Sequence, residues 1–104
     1  MEKDVENLII SMKKALPIYA YPAKYLLKEF PDIYKGDRLE ITDVLYLGNE
    51  GGISCSILRG NTVVIVSVTH LNFIDEHPLR DRINKYKFHR IQMLKLQHLL
   101  DKKN

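Results

Sequence analysis

Four side chains of the kinds that bind transition metals lie within eight residues of one another: His70, Asp75, Glu76 and His77. A zinc site needs three or four such ligands in tetrahedral geometry. Here one histidine ends an apolar run, and the other three residues precede a helical pattern with Pro78 in its first turn. The two carboxylates are then available to cap that helix. We therefore expect no bound metal and no cofactor.

The single cysteine, Cys55, raises the question of nucleophilic catalysis with His70 as its base. That chemistry needs an exposed, activated thiolate and a third group that orients the base. Cys55 instead alternates with serines between Ile53 and Ile57, a pattern that favours a buried and inert thiol. No other set of acid, base and nucleophile stands out, so the sequence assigns no catalytic residue and favours a non-enzymatic role.

The glycine-dense stretch 48–52 resembles a phosphate-binding loop in composition only. No Lys-Ser or Lys-Thr follows it, and the next segment has the pattern of a strand, so no helix N-terminus would point at a phosphate. The stretch predicts a hairpin turn.

Basic residues concentrate at the end of the chain. Residues 77–104 carry eight Lys or Arg and two Asp, a net charge of +6, whereas residues 1–76 are net −3. Such asymmetry is typical of a protein that binds nucleic acid or another polyanion. The candidate contacts are Arg80, Lys87, Arg90 and Lys95. On a helical wheel, however, the charges flank an apolar stripe on both sides, an arrangement also typical of side chains that border a core.

Four tyrosines lie near the predicted N-terminal helices, at positions 19, 21, 25 and 34. They are suited to a stacking surface or a small-molecule pocket. They are equally suited to half-buried packing with the hydroxyl in water.

The spacing of apolar residues predicts two helices in the first third of the chain. Val5 to Leu16 has one apolar face and is ended by Pro17, and Pro22 to Phe30 is a shorter helix with proline at its first position. From Leu39 the pattern alternates instead, which predicts three strands separated by the turns at 48–52 and 59–61. The third predicted strand, Thr62 to Leu71, is apolar on both faces.

A long helix is predicted from Pro78 to about Asp101. From Phe88 onward it is apolar nearly all round, as is typical of a helix buried on several sides. The sequence therefore predicts an α+β fold in the order ααβββα, with a three-stranded antiparallel meander and a long C-terminal helix. A partly open, SH3-like barrel is the alternative architecture, because short strands punctuated by glycine turns also fit it.

A chain of 104 residues fits a single domain over residues 1–104. One cysteine and the absence of a long apolar segment favour a cytoplasmic protein without a membrane partner. An apolar edge strand and an all-round apolar helix end both require covering, which favours a homodimer. The predicted interface residues are Val64, Val66, Phe88, Ile91, Leu96 and Leu99.

These observations rank three classes of function. A non-catalytic, self-associating interaction module, with a protein partner besides itself as an option, uses the apolar surfaces and needs no motif. Nucleic-acid or other polyanion binding through the basic C-terminal helix is the alternative. A small enzyme comes last.

Overall fold

Strands and helices alternate along the chain more often than the sequence pattern predicts. A computed structural model describes residues 2–102. In chain order the elements are α1 (Lys3–Ala15), β1 (Ile18–Pro22), α2 (Lys24–Glu29), β2 (Leu39–Tyr46), α3 (Gly48–Gly51), β3 (Ile53–Arg59), β4 (Thr62–Ser67), a 3-10 turn (Val68–His70), β5 (Leu71–Phe73) and α4 (Arg80–Lys102). The α+β class and the long C-terminal helix are confirmed, but the order ααβββα is wrong.

The structure has five strands among its described residues where the sequence predicted three. The segment around Tyr19 and Tyr21, expected to link two helices, is strand β1, in which the buried Ile18 and Ala20 alternate with the tyrosines. Because Pro22 belongs to this strand, α2 starts only at Lys24. The predicted third strand also divides. Its backbone turns at Ser67, whose hydroxyl accepts a hydrogen bond from the Thr69 N–H at 3.2 Å.

The sheet is antiparallel throughout, in the order β4-β3-β2-β1-β5. Strands β2, β3 and β4 form the predicted meander with β4 at its edge. The connection at 48–52 joins β2 to β3 as predicted, although its backbone forms a single helical turn, α3, rather than a tight hairpin turn.

The two edges of this sheet are joined by a very short connection. Neighbouring strands lie about 4.8 Å apart, so the edges of a flat five-stranded sheet would be separated by about 19 Å. The path from Ser67 to Leu71 crosses only the 3-10 turn and spans at most about 14 Å. The sheet must therefore curl until β4 and β5 approach each other.

One apolar cluster fills the inside of the curled sheet and continues under the helices. Helices α1, α2 and α4 contribute Leu8, Met12, Leu26 and Ile83 to it, and every strand contributes inward side chains. Cys55 belongs to this cluster. Burying these side chains together is the main stabilising contribution that such a fold has.

Candidate protein interaction surface

The first three turns of α4 are fixed to the sheet. Ile83 is fully buried, and the Tyr86 hydroxyl accepts a hydrogen bond from the Ile53 N–H at 2.9 Å. Lys87 donates from Nζ to the carbonyl oxygen of Leu71 at 2.5 Å. Burial lowers the pKa of Lys87 from its usual 10.5. These contacts set the direction in which the rest of the helix points.

Arg90 makes the last of these anchoring contacts. Its guanidinium donates to the carbonyl oxygens of Asn49 and Glu50 at 2.7 and 2.6 Å, across the helical turn that follows β2. Gly52 permits this close approach, because a Cβ atom there would lie 2.6 Å from the Tyr86 hydroxyl and 2.9 Å from Arg90 Nε. The loop and the helix are thus fitted to each other without space for a side chain.

Beyond Arg90, α4 is exposed on most of its surface, although Met93, Leu94 and Gln97 still line a groove beside α1. Every residue from 91 to 102 is exposed, and we call this segment the α4 tail. Two side chains show the extent of this exposure: Met93 is 61% exposed and Leu99 is 57% exposed. The large apolar side chains that the tail exposes are Ile91, Met93, Leu94, Leu96, Leu99 and Leu100. The apolar helix end that the sequence indicated is thus largely exposed in the described chain, and Ile91 at 37% and Leu94 at 40% are its least exposed large apolar side chains.

Successive residues of an α-helix are rotated by about 100°, so these side chains point to all sides of the tail. Met93, Leu96 and Leu100 follow the 3-4 spacing of a coiled-coil seam and share one side of the helix with His89. Leu99 and Phe88 lie on another side. A partner can therefore surround the tail rather than cover a single face.

A groove of about 1180 Å³ runs between α1 and α4, and we call it the α1/α4 groove. Val5 and Leu8 from α1 line it together with Tyr46, Tyr86 and Met93. Glu2 and Asp4 form an acidic border at the beginning of α1, whereas Arg82, Lys85 and Arg90 form a basic border along α4. The groove is therefore apolar inside and carries opposite charges on its two sides.

The sequence identified no residue of this groove on α1, because the groove exists only where α1 docks beside α4. Arg82, near the start of α4, donates to the Ser11 hydroxyl near the end of α1 at 3.2 Å. The first residues of α1 lie further along the groove, with Met93, Leu94 and Gln97. This arrangement is produced by tertiary packing, and no local pattern signals it.

The four cations predicted to contact a polyanion differ in whether they have partners within the chain. Arg80 pairs with Asp75 and Asp81 at 3.4 and 3.1 Å. Lys87 and Arg90 donate to backbone carbonyls, as described above. Lys95 lies on the exposed tail. Three of the four side chains therefore have partners within the chain.

Strand β4 presents a second apolar surface. Its inward side chains are Val66, which is buried in the core, and Val64, which packs against the core. Its outward side chains, Val63 and Ile65, are exposed beside Leu58 of β3. A partner at this edge would thus contact the backbone of β4 and these outward residues, rather than the side chains of Val64 and Val66.

The residues considered for nucleophilic catalysis and metal binding lie in separate surroundings. Burial raises the pKa of the Cys55 thiol to about 12. His70 stacks on Tyr25 with ring centroids 4.7 Å apart, and His77 accepts the Leu79 N–H at 3.1 Å at the start of α4. Among residues 2–102, no group of three or more His, Cys, Asp or Glu side chains is arranged to hold a metal ion.

The four tyrosines form no common pocket. Arg38 stacks on the Tyr19 ring at 4.1 Å, and the Tyr19 hydroxyl donates to Glu40 at 3.3 Å. Tyr25 lies against His70, and Tyr34 is 71% exposed. Tyr21, Tyr25 and Tyr34 are exposed, so the half-buried packing that the sequence favoured applies to Tyr19 alone.

Within the described part of the chain, no helix is both long enough and apolar enough to cross a membrane. No protein-family model, no curated protein and no solved structure matches this chain.

Proposed function

We propose that the protein is a non-catalytic interaction module that associates with itself through the α4 tail. The observation that carries the proposal is the exposure of six large apolar side chains on residues 91–102, beyond the last contact of α4 with the sheet. Contiguous exposed apolar surface of this kind marks protein interaction sites.

The magnitude of the apolar surface supports a stable association. Fully burying a large aliphatic side chain stabilises by about 1.5–3 kcal/mol, and these side chains are roughly half exposed at the start, so about 1 kcal/mol each remains to be gained. Two tails then contribute on the order of 12 kcal/mol, compared with an association cost of about 4–15 kcal/mol. The tail is therefore sufficient for a dimer only when most of its sides are covered.

Sedimentation at micromolar concentration tests this proposal directly. We expect the wild-type protein to sediment as a dimer and the double variant Leu96→Glu/Leu99→Glu to sediment as a monomer with unchanged helix content. Ile10→Glu is the matched control, because Ile10 is also an exposed apolar residue on a helix but lies on α1 outside the groove. A wild-type protein that remains monomeric across this range would refute self-association.

The edge of β4 is the other surface through which copies could associate, by pairing of backbone with backbone. Ile65→Lys places a charge on the outward face of that strand without touching the core. A dimer that survives Ile65→Lys but not the tail substitutions assigns the association to the tail. The reverse result assigns it to β4.

Polyanion binding remains the alternative function, supported by the net charge of +6 over residues 77–104. It has less support than self-association because Arg80, Lys87 and Arg90 are engaged within the chain. Lys95 is the candidate cation that remains.

A further inference from the structure

The α4 tail carries an exposed apolar stripe, and the α1/α4 groove on the same molecule is an apolar channel. We propose that the groove of one copy receives the tail of a second copy, with the two α4 helices antiparallel. This inference rests on the proposed self-association and adds the site at which the tail binds, which self-association alone does not specify.

The shapes and apolar surfaces agree with this assignment. The groove is an open channel between two helices, and helices recognise other helices by placing an apolar stripe into such a channel. Val5, Leu8 and Tyr86 provide its apolar lining. The seam of Met93, Leu96 and Leu100 on the incoming tail provides the complementary stripe, with the spacing that packs knobs into holes.

The charges also agree. In an antiparallel pair the incoming tail runs parallel to α1, because Arg82 at the start of α4 contacts Ser11 at the end of α1. The first half of the tail, with Lys95, then lies beside the acidic border of Glu2 and Asp4. The end of the tail, with Asp101, lies beside Arg82 and Lys85. Asp101 is followed by Lys102, so this end of the tail carries charges of both signs and favours neither orientation. Lys95 favours the antiparallel one, because a parallel tail would place it near Arg82 and Lys85 instead of Glu2 and Asp4.

Two-fold symmetry completes the arrangement. If the tail of one copy occupies the groove of the second, the same operation places the second tail in the first groove, because an isologous interface uses the same surface on both subunits. Each groove is then occupied, and the stripe of Met93, Leu96 and Leu100 on each tail is covered. A closed dimer is therefore expected, rather than a filament.

Charge-reversal variants test where the tail binds separately from whether the protein dimerises. Asp4→Lys and Lys95→Glu should each weaken the dimer by roughly tenfold at low salt, because each disrupted pair occurs twice in the symmetric dimer. The double variant Asp4→Lys/Lys95→Glu should return the dissociation constant to within about threefold of the wild type, because the pair is restored with its signs exchanged.

Glu6→Lys is the matched control, because it makes the same charge change in the first turns of α1 but lies outside the groove. If Asp4→Lys weakens the dimer no more than Glu6→Lys does, the tail does not bind in the groove. The same conclusion follows if the double variant fails to restore the dimer. Either result contradicts the groove as the binding site of the tail and leaves the proposed self-association intact. A wild-type protein that does not dimerise at all refutes the proposed function itself.

Discussion

The alpha carbon of Gly52 faces the hydroxyl of Tyr86 so closely that a methyl group on it would lie 2.6 Å from the oxygen. Gly52 also has a φ of 62° and a ψ of −155°, a backbone conformation that essentially only glycine adopts. The junction between α4 and the β2–β3 loop therefore depends on the absence of a side chain at this position.

Gly52→Ala is expected to lower the free energy of unfolding by about 2–4 kcal/mol, because backbone strain and displacement of Tyr86 and Arg90 both contribute. Urea denaturation measures this change. Gly60→Ala is the matched control, since Gly60 also has a positive φ of 59° but open space around it. Equal losses in the two variants would show that the contact with α4 contributes nothing.

The stability of the protein is expected to rise with pH as Lys87 loses its proton. Burial lowers the pKa of Lys87 in the folded state, so between that lowered pKa and 10.5 the unfolded chain binds more protons than the folded one. The free energy of unfolding therefore increases through this window and levels off above pH 10.5. Lys87→Met should lack this contribution, so the difference between wild type and variant from pH 7 to 10.5 isolates it from the titration of the tyrosines. A difference that does not vary with pH contradicts the prediction.

Cys55 is expected to resist alkylation while the protein is folded. Its thiol is buried and its pKa is raised to about 12, so almost no thiolate is present at pH 8. Iodoacetamide at pH 8 should modify the native protein far more slowly than the urea-unfolded chain, as measured by mass spectrometry. Rapid modification of the native protein would restore Cys55 as a candidate nucleophile.

Binding to generic duplex DNA is expected to be weak and to disappear as salt is raised from 50 to 200 mM, because Arg80, Lys87 and Arg90 are engaged within the chain and the remaining contacts would depend on counterion release. Fluorescence anisotropy measures both quantities. Lys95→Glu should weaken this binding, whereas Lys28→Glu, at an exposed position of α2, should leave it nearly unchanged. Tight binding that persists in Lys95→Glu would require a basic surface other than the predicted one.

The elements that the sequence predicted are those with a long local pattern. Helix α1 repeats its apolar residues over four turns, and the meander is marked by alternation and by glycine-rich connections. Strand β1 is short, follows Pro17 and ends in Pro22, so its pattern resembles a linker. Strand β5 has three residues within a longer apolar run. Both strands exist because they pair with each other across about fifty residues of sequence, a relationship that no local pattern contains.

The candidate surface was likewise predictable only where a local sequence pattern marks it. The α4 tail is apparent from the sequence because apolar residues there occupy every side of a helix. The groove was not predictable, because it depends on the docking of α1 against α4. The engagement of Lys87 and Arg90 was equally hidden, since both donate to backbone carbonyls and backbone carbonyls have no sequence signature.

The segment Val68–His70, which forms the 3-10 turn, cannot change in length without disturbing the sheet. Because it joins the two edges of the sheet, a residue added there would shift the register of β5 by one position and turn Leu71 and Phe73 from the core to the outside. The loop between α2 and β2 has no such requirement, since its residues are mostly exposed. Insertions and deletions among homologous chains should therefore accumulate at 34–38, beyond the buried Ile33, and be excluded from 68–70.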